Sequence, residues 1–213
     1  DNKKIVFKNR LIALKNLHLN KKKLVLIKQT HSSKVIRINK NNLNKNLKAD
    51  GMITSLDNVV LGILTADCAP IFIYDDSNKF VCSLHAGWKG SLNNISQKAV
   101  KLFEKYNIQR DNLYAIIGPC LGMNNFEVDT DFKMKFIKKD SKYSKFFKKK
   151  NNVKSYFNLR KLINYQLTEL GLKKIFNVNR DTYSDENLFF SHRRSNHKGK
   201  KSTGRLINLI SIT

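Results

Sequence analysis

The apolar residues of this chain come in short runs, which suits strands and brief helices sharing one core. Val59–Thr65, Ile71–Tyr74, Phe80–Leu84 and Leu113–Ile117 are β-branched or aromatic stretches bounded by turn residues. Leu24–Lys28 and Lys34–Ile38 flank Gln29-Thr30-His31, and Ile175–Val178, Leu188–Phe190 and Leu206–Ile212 continue the pattern. None of these runs, nor Ala115–Gly118, approaches the roughly 20 apolar residues that a membrane helix needs. Helical spacing is clearest at two places. Ile95, Ala99, Leu102, Phe103 and Tyr106 fall on one face of a helix expected over Ser91–Tyr106. Leu159, Leu162, Ile163, Gln166, Leu167 and Leu170 repeat the pattern, with Asn158 placed to cap the start and Gly171 to mark the stop. A third, weaker helix begins near Asp129. Strands and helices mix irregularly, which predicts an α+β or mixed α/β fold rather than repeated βαβ units.

The length of 213 residues fits one domain spanning 1–213, and no Pro/Gly/Ser linker or internal repeat divides it. A hydrophobic content of 41% excludes a disordered chain. Three cysteines at irregular spacing argue against a disulfide framework and fit a reducing compartment, the cytoplasm. No signal peptide opens the chain, and it starts at Asp1 rather than Met, as a trimmed chain or a fragment would.

The net charge of +25 invites a polyanion partner. Its make-up points elsewhere. Of 41 basic residues 33 are Lys, and Lys, Asn and Ile make up 78 of 213 residues while Ala occurs 7 times. All three abundant types have A/T-rich codons, so genome bias accounts for the pattern without selection for nucleic acid. Lys138–Lys154, with eight lysines and the single acid Asp140, interleaves Tyr143, Phe146 and Phe147. Such rings can stack on bases, but a solvated surface insertion is the plainer expectation.

Reactive side chains gather where strands stop: Gln29-Thr30-His31, Thr65-Ala66-Asp67-Cys68-Ala69-Pro70 and His85-Ala86-Gly87-Trp88-Lys89-Gly90. His31, Cys68 and His85 form a coherent donor set, since a thiolate and two imidazoles suit Zn²⁺ and leave a fourth position open. The separations of 37 and 17 residues are no local metal signature, so the fold must bring the three together. The same residues also suit a Cys68 nucleophile activated by His85 or His31, with Asp67 as orienter. Cys82, mid-strand, and Cys120, after Gly118-Pro119, read as structural. Gly87 and Gly90 before a helix, and Ser191-His192-Arg193-Arg194 followed by Thr203-Gly204-Arg205, are candidate anion contacts.

Taken with Ala49-Asp50-Gly51-Met52-Ile53-Thr54, Ile117-Gly118-Pro119-Cys120 and Phe189-Phe190-Ser191-His192-Arg193-Arg194, these segments resemble the YfiH/laccase-domain family. That family is also called the multicopper polyphenol oxidase and peptidoglycan editing factor family. The resemblance covers about Lys8 to Ile212. It implies a four-layer α-β-β-α sandwich-like fold and a zinc held by His31, Cys68 and His85. It further implies phosphorolysis of adenosine, inosine and methylthioadenosine, hydrolytic deamination of adenosine, and a link to editing of peptidoglycan precursors. The family's opening strand and Gly-rich turn have no counterpart here. Asp181-Thr182 stands where Cys-Thr is common, and Met123-Asn124-Asn125-Phe126 stands where Pro-Cys-Cys-Tyr is common.

A multicopper oxidase needs roughly ten histidines, because imidazole is its main ligand. This chain has five, with His18 and His197 in polar, lysine-rich surroundings. With laccase activity discounted, the resemblance implies a zinc-dependent purine nucleoside phosphorylase with adenosine deaminase activity, with Cu²⁺ as a substitute metal. His31, Cys68 and His85 serve both as ligands and as the catalytic group. Asp67 is the expected proton-transfer partner, although a strand would point it away from Cys68. Arg193 or Arg194 would orient phosphate, and Trp88 or Phe126 would stack on the base. Small-molecule purine nucleosides and phosphate are the expected partners. An amidase-type editing enzyme on cell-wall precursors and a nucleic-acid or anionic-surface binding module are the alternatives.

Overall fold

The computed structural model describes residues 2–213. The chain opens with α1 (Lys3–Asn16), β1 (Lys23–Leu26), β2 (Val35–Ile38), β3 (Gly51–Thr54), β4 (Val59–Thr65), β5 (Ala69–Asp75) and β6 (Val81–Ala86). Next come α2 (Trp88–Leu92), α3 (Ile95–Glu104), β7 (Leu113–Ile117), β8 (Glu127–Asp129) and α4 (Thr130–Lys139). It closes with β9 (Phe147–Lys149), β10 (Lys154–Phe157), α5 (Leu159–Glu169), β11 (Lys174–Asn177), α6 (His192–His197) and β12 (Leu206–Ser211). β4 and β7 coincide with the runs read from the sequence, because β-branched density there is bounded by polar turns on both sides.

Six strands form the main sheet in the order β11-β7-β5-β6-β3-β2, and three form a second sheet, β1-β4-β12. A small third sheet is β8-β10-β9. Parallel pairs (β1/β4, β2/β3, β7/β11) mix with antiparallel ones, as α+β predicts. Side chains alternate across a strand, so the main sheet feeds two cores. One face, with Ile53, Ile71, Ile73, Cys82 and Leu84, packs with Ala99, Phe103, Leu162, Ile163 and Leu167 of α3 and α5. The other core joins Met52 and Val81 to Val25, Val59, Leu61 and Ile63 of the second sheet. Helices, main sheet and second sheet therefore stack as successive layers.

Caps explain the helix ends. Asn158 accepts from Lys161 N at 2.9 Å to start α5, and Gly171 follows its end at φ +87°. Asp129 accepts from Phe132 N at 2.7 Å to start α4. The helix expected over Ser91–Tyr106 is instead two. Asn94 takes the left-handed conformation at φ 50° and its side chain caps Gln97, ending one helix and starting the next. Leu188–Phe190 is not a strand but an exposed loop segment, with Leu188 60% and Phe190 51% accessible. The surface insertion expected at Lys138–Lys154 is half wrong: its lysines are solvated, but Phe146 and Tyr143 are buried in the main core. Those two rings are unavailable for stacking on bases. α1 has no apolar face to read, since Ile5, Phe7, Leu11 and Ile12 are exposed and Leu14 is its buried residue. No helix among the described residues is long and apolar enough to cross a membrane.

Candidate metal centre

Two connections carry the chain from the second sheet to the main sheet, β1 to β2 and β4 to β5. Each supplies one donor, His31 from the first and Cys68 from the second. The third, His85, comes from β6, where it lies opposite Pro70 of β5. The ligand atoms of the three lie within 4.8 Å of one another, so one ion can meet all of them. The two imidazoles meet edge to face, with ring centroids 4.8 Å apart. Both connections need unusual backbone there. His31 sits at φ 57° and Asp67 at φ 85°, left-handed values that cost a non-glycine residue energy and tend to mark functional sites. Gly87 supplies room. A Cβ there would fall 2.9 Å from Cys68 Sγ and 3.4 Å from His31 Cδ2.

The electrostatics favour a charged sulfur. Burial pushes the Cys68 thiol up, but hydrogen bonds with His31 and His85 outweigh it and bring the pKa from 9.0 down to about 7. Burial alone would lower that of His85, yet Asp50 and Cys68 together raise it from 6.5 to about 9. His85 Nδ1 lies 2.8 Å from Asp50 Oδ1 with both groups buried. Burial works against the Asp50 charge too, but hydrogen bonds from His85, Ser32 and Thr30 hold its carboxyl well below the usual carboxylate range. The other thiols contrast with Cys68. Burial pushes Cys82 far up and Cys120 up to about 12. An N,N,S donor set with a depressed thiol, and a carboxylate on the second nitrogen of one imidazole, fits a zinc-type site.

The donors line a cavity of about 590 Å³, within the usual range for small-molecule sites. Trp88, Phe126, Leu64 and Ile27 give it apolar walls, Arg193 and Arg205 give it positive charge, and His192 lines it beside them. Of the residues expected to serve the site, Asp67, Trp88, Phe126 and Arg193 all reach this cavity. Asp67 lies in the β4–β5 turn and not in a strand, so it faces the cavity beside Cys68. Its oxygens accept from Thr182 Oγ1 at 2.7 Å and from Arg193 N at 2.6 Å. The Arg193 guanidinium lies 5.6 Å from the centre of the Phe126 ring, held by the carbonyls of Asn125 and Glu127. Arg194 goes elsewhere. Its guanidinium is spent on the carbonyls of Thr182, Tyr183 and Phe189, and it borders a separate cavity of about 330 Å³.

Sequence reasoning gave no role to Asp50, and named His192 and Arg205 only as parts of candidate anion-contact segments. Asp50 appeared only inside a motif, and its signal is the turn of amides at 30–32, which exists only once folded. The two departures by substitution, at Asp181 and in the Met123–Phe126 segment, touch each other. Asp181 accepts from Gly122 N at 2.8 Å and from Asn125 Nδ2 at 2.6 Å.

Known proteins resemble this chain in sequence and in fold. A family model described as multi-copper polyphenol oxidoreductase laccase matches residues 1–213. A protein named purine nucleoside phosphorylase from Rickettsia prowazekii is 33% identical over 191 residues, 89% of this chain and 78% of that protein. A protein of the same name from Haemophilus influenzae is 31% identical over 205 residues, 95% of this chain and 82% of its own. The crystal structure of a Bacillus licheniformis hypothetical protein YfiH superposes with a TM-score of 0.87 at 26% identity, covering 98% of this chain and 81% of that one. The fold, the order of the motifs and these relatives lead to one statement: the chain belongs to the YfiH/laccase-domain family.

Proposed function

We propose that the chain is a zinc-dependent purine nucleoside phosphorylase that also deaminates adenosine. The observation that carries this is the position of the His31–Cys68–His85 group in a cavity of nucleoside size with aromatic walls and cationic residues. The names of the relatives support the phosphorylase part.

When bound, zinc would supply Lewis acidity and activation of water at this position. The chain's own residues do the rest. Trp88 and Phe126 offer flat apolar faces to a purine. Arg193, pre-ordered by two backbone carbonyls, and Arg205 attract and orient phosphate. Asp67 is the one carboxylate among the described cavity residues, so proton transfer to the leaving group falls to it. Arg194 holds the 182–189 segment and is not assigned to substrate.

The test is to load the protein with zinc, measure metal content, and incubate it with adenosine with and without phosphate. Inosine marks deamination, and adenine with ribose 1-phosphate marks phosphorolysis. If neither forms, and Cys68→Ala behaves like the parent, the proposal fails.

A further inference from the structure

We infer that Asp50 is the positioning residue of the centre, a single carboxylate that sets both histidine donors and through them the affinity for metal. The inference rests on reading His31, Cys68 and His85 as a metal centre.

Asp50 is fully buried just before β3. The loop 30–32 curls around its side chain, so that three successive amides point at one carboxylate. Oδ1 accepts from His31 N at 2.9 Å, Oδ2 from Ser32 N at 2.7 Å, and Thr30 N is shared between them at 3.2 and 3.1 Å. The hydroxyls of Ser32 and Thr30 add bonds at 2.7 and 3.1 Å. Three converging amides form a concavity for an anion. Here the anion is internal, and it favours the left-handed backbone at His31 that turns the ring toward Cys68.

The oxygen that holds the His31 amide also holds His85, with Nδ1 at 2.8 Å. Donation from Nδ1–H fixes the tautomer and leaves Nε2 as the donor atom. The Asp50 carbonyl accepts from His85 N at 2.7 Å as well. One residue thus fixes a loop ligand and a strand ligand in the same frame. An amide at position 50 would turn an NH₂ toward an N–H that now donates, which disorders at least one of the two ligands.

The experiment titrates purified, metal-free protein with Co²⁺, reading the thiolate charge-transfer band and the d–d bands. Wild type should bind with a tetrahedral spectrum that includes a thiolate band. Asp50→Asn should bind about ten- to a hundredfold more weakly, with weakened d–d bands, while its far-UV circular dichroism stays that of wild type. Thr30→Val and Ser32→Ala each remove a hydroxyl from Asp50 and leave His85 alone, and both should weaken binding severalfold. A residue that merely holds the fold would shift the unfolding midpoint and leave affinity and spectrum unchanged. The inference is overturned if folded Asp50→Asn matches wild type in both. Should that variant not fold, wild-type affinity in both Thr30→Val and Ser32→Ala overturns it. A wild-type chain that binds no Co²⁺ overturns the metal reading itself, a result distinct from either.

Discussion

His31 and His85 present the same imidazole to the same site from opposite kinds of backbone. His85 is mid-sheet, 3% exposed, with Nδ1 against a buried carboxylate. His31 is exposed on a loop at a left-handed φ, and Asp50 holds only its amide. One donor is part of the core and the other is placed at its edge. The fold's stability should therefore depend on the first, whereas ion binding needs both.

The largest effect should come from His85→Ala. It leaves the Asp50 charge buried without its imidazole partner, which typically costs about 3–5 kcal/mol. Urea unfolding of the metal-free variant measures this, and a loss below about 1 kcal/mol would show that the loop amides alone satisfy Asp50.

The pH dependence comes next. Cys68, lowered from 9.0 to about 7, contributes stability that is present above pH 9 and lost as pH falls through 7. His85, raised from 6.5 to about 9, contributes stability that is full below pH 6.5 and lost as pH rises through 9. Between these limits the two slopes oppose each other, so metal-free wild type should be nearly flat. Cys68→Ala removes the opposing slope and part of the His85 shift, so stability should then fall with rising pH over a narrower window above pH 6.5, by at most about 1.4 kcal/mol per unit. A flat profile in that variant would show that Asp50 alone does not hold the imidazolium.

Gly87→Ala tests the sulfur. A methyl 2.9 Å from Sγ must displace it, so Co²⁺ affinity should fall about tenfold (about 1.4 kcal/mol) with little change in the unfolding midpoint. His31→Gly should disturb the fold least. It removes a donor but relieves a left-handed non-glycine residue, so stability should stay within about 1 kcal/mol of wild type while metal retention is lost. A large destabilisation there would erase the contrast between the two histidines.

The sequence carried the strands where apolar density is bounded by turns, as at Val59–Thr65 and Leu113–Ile117. It carried α5, where Asn158 and Gly171 mark both ends. It missed α1, whose apolar residues wrap round the helix, and the break at Asn94, where one asparagine ends a helix that the Ile95–Tyr106 periodicity extends. The three donors were visible as residue types at strand ends and as one coherent donor set, and the family resemblance reinforced that grouping. Geometry at Asp67 was misjudged because the strand was extended through it; it lies in a turn at positive φ, lines the cavity, and its carboxylate accepts from Thr182 and Arg193. Asp50 stayed unassigned because its partners, the amides of residues 30–32, leave no trace in residue identity. Arg193 and Arg194 looked equivalent, and only the carbonyls around each distinguish them.

The two sheet-to-sheet connections have a mechanical consequence. His31 and Cys68 hang from links between layers, so the register of one sheet over the other sets the distance between them. A slip of one residue, about 3.3 Å along a strand, is comparable with the 4.8 Å within which the donors now lie and would disturb their convergence. An ion seated there acts as a rivet through the seam. Chelation should then loosen the packing between the sheets as well as empty the site, seen as faster amide exchange in β1 and β4.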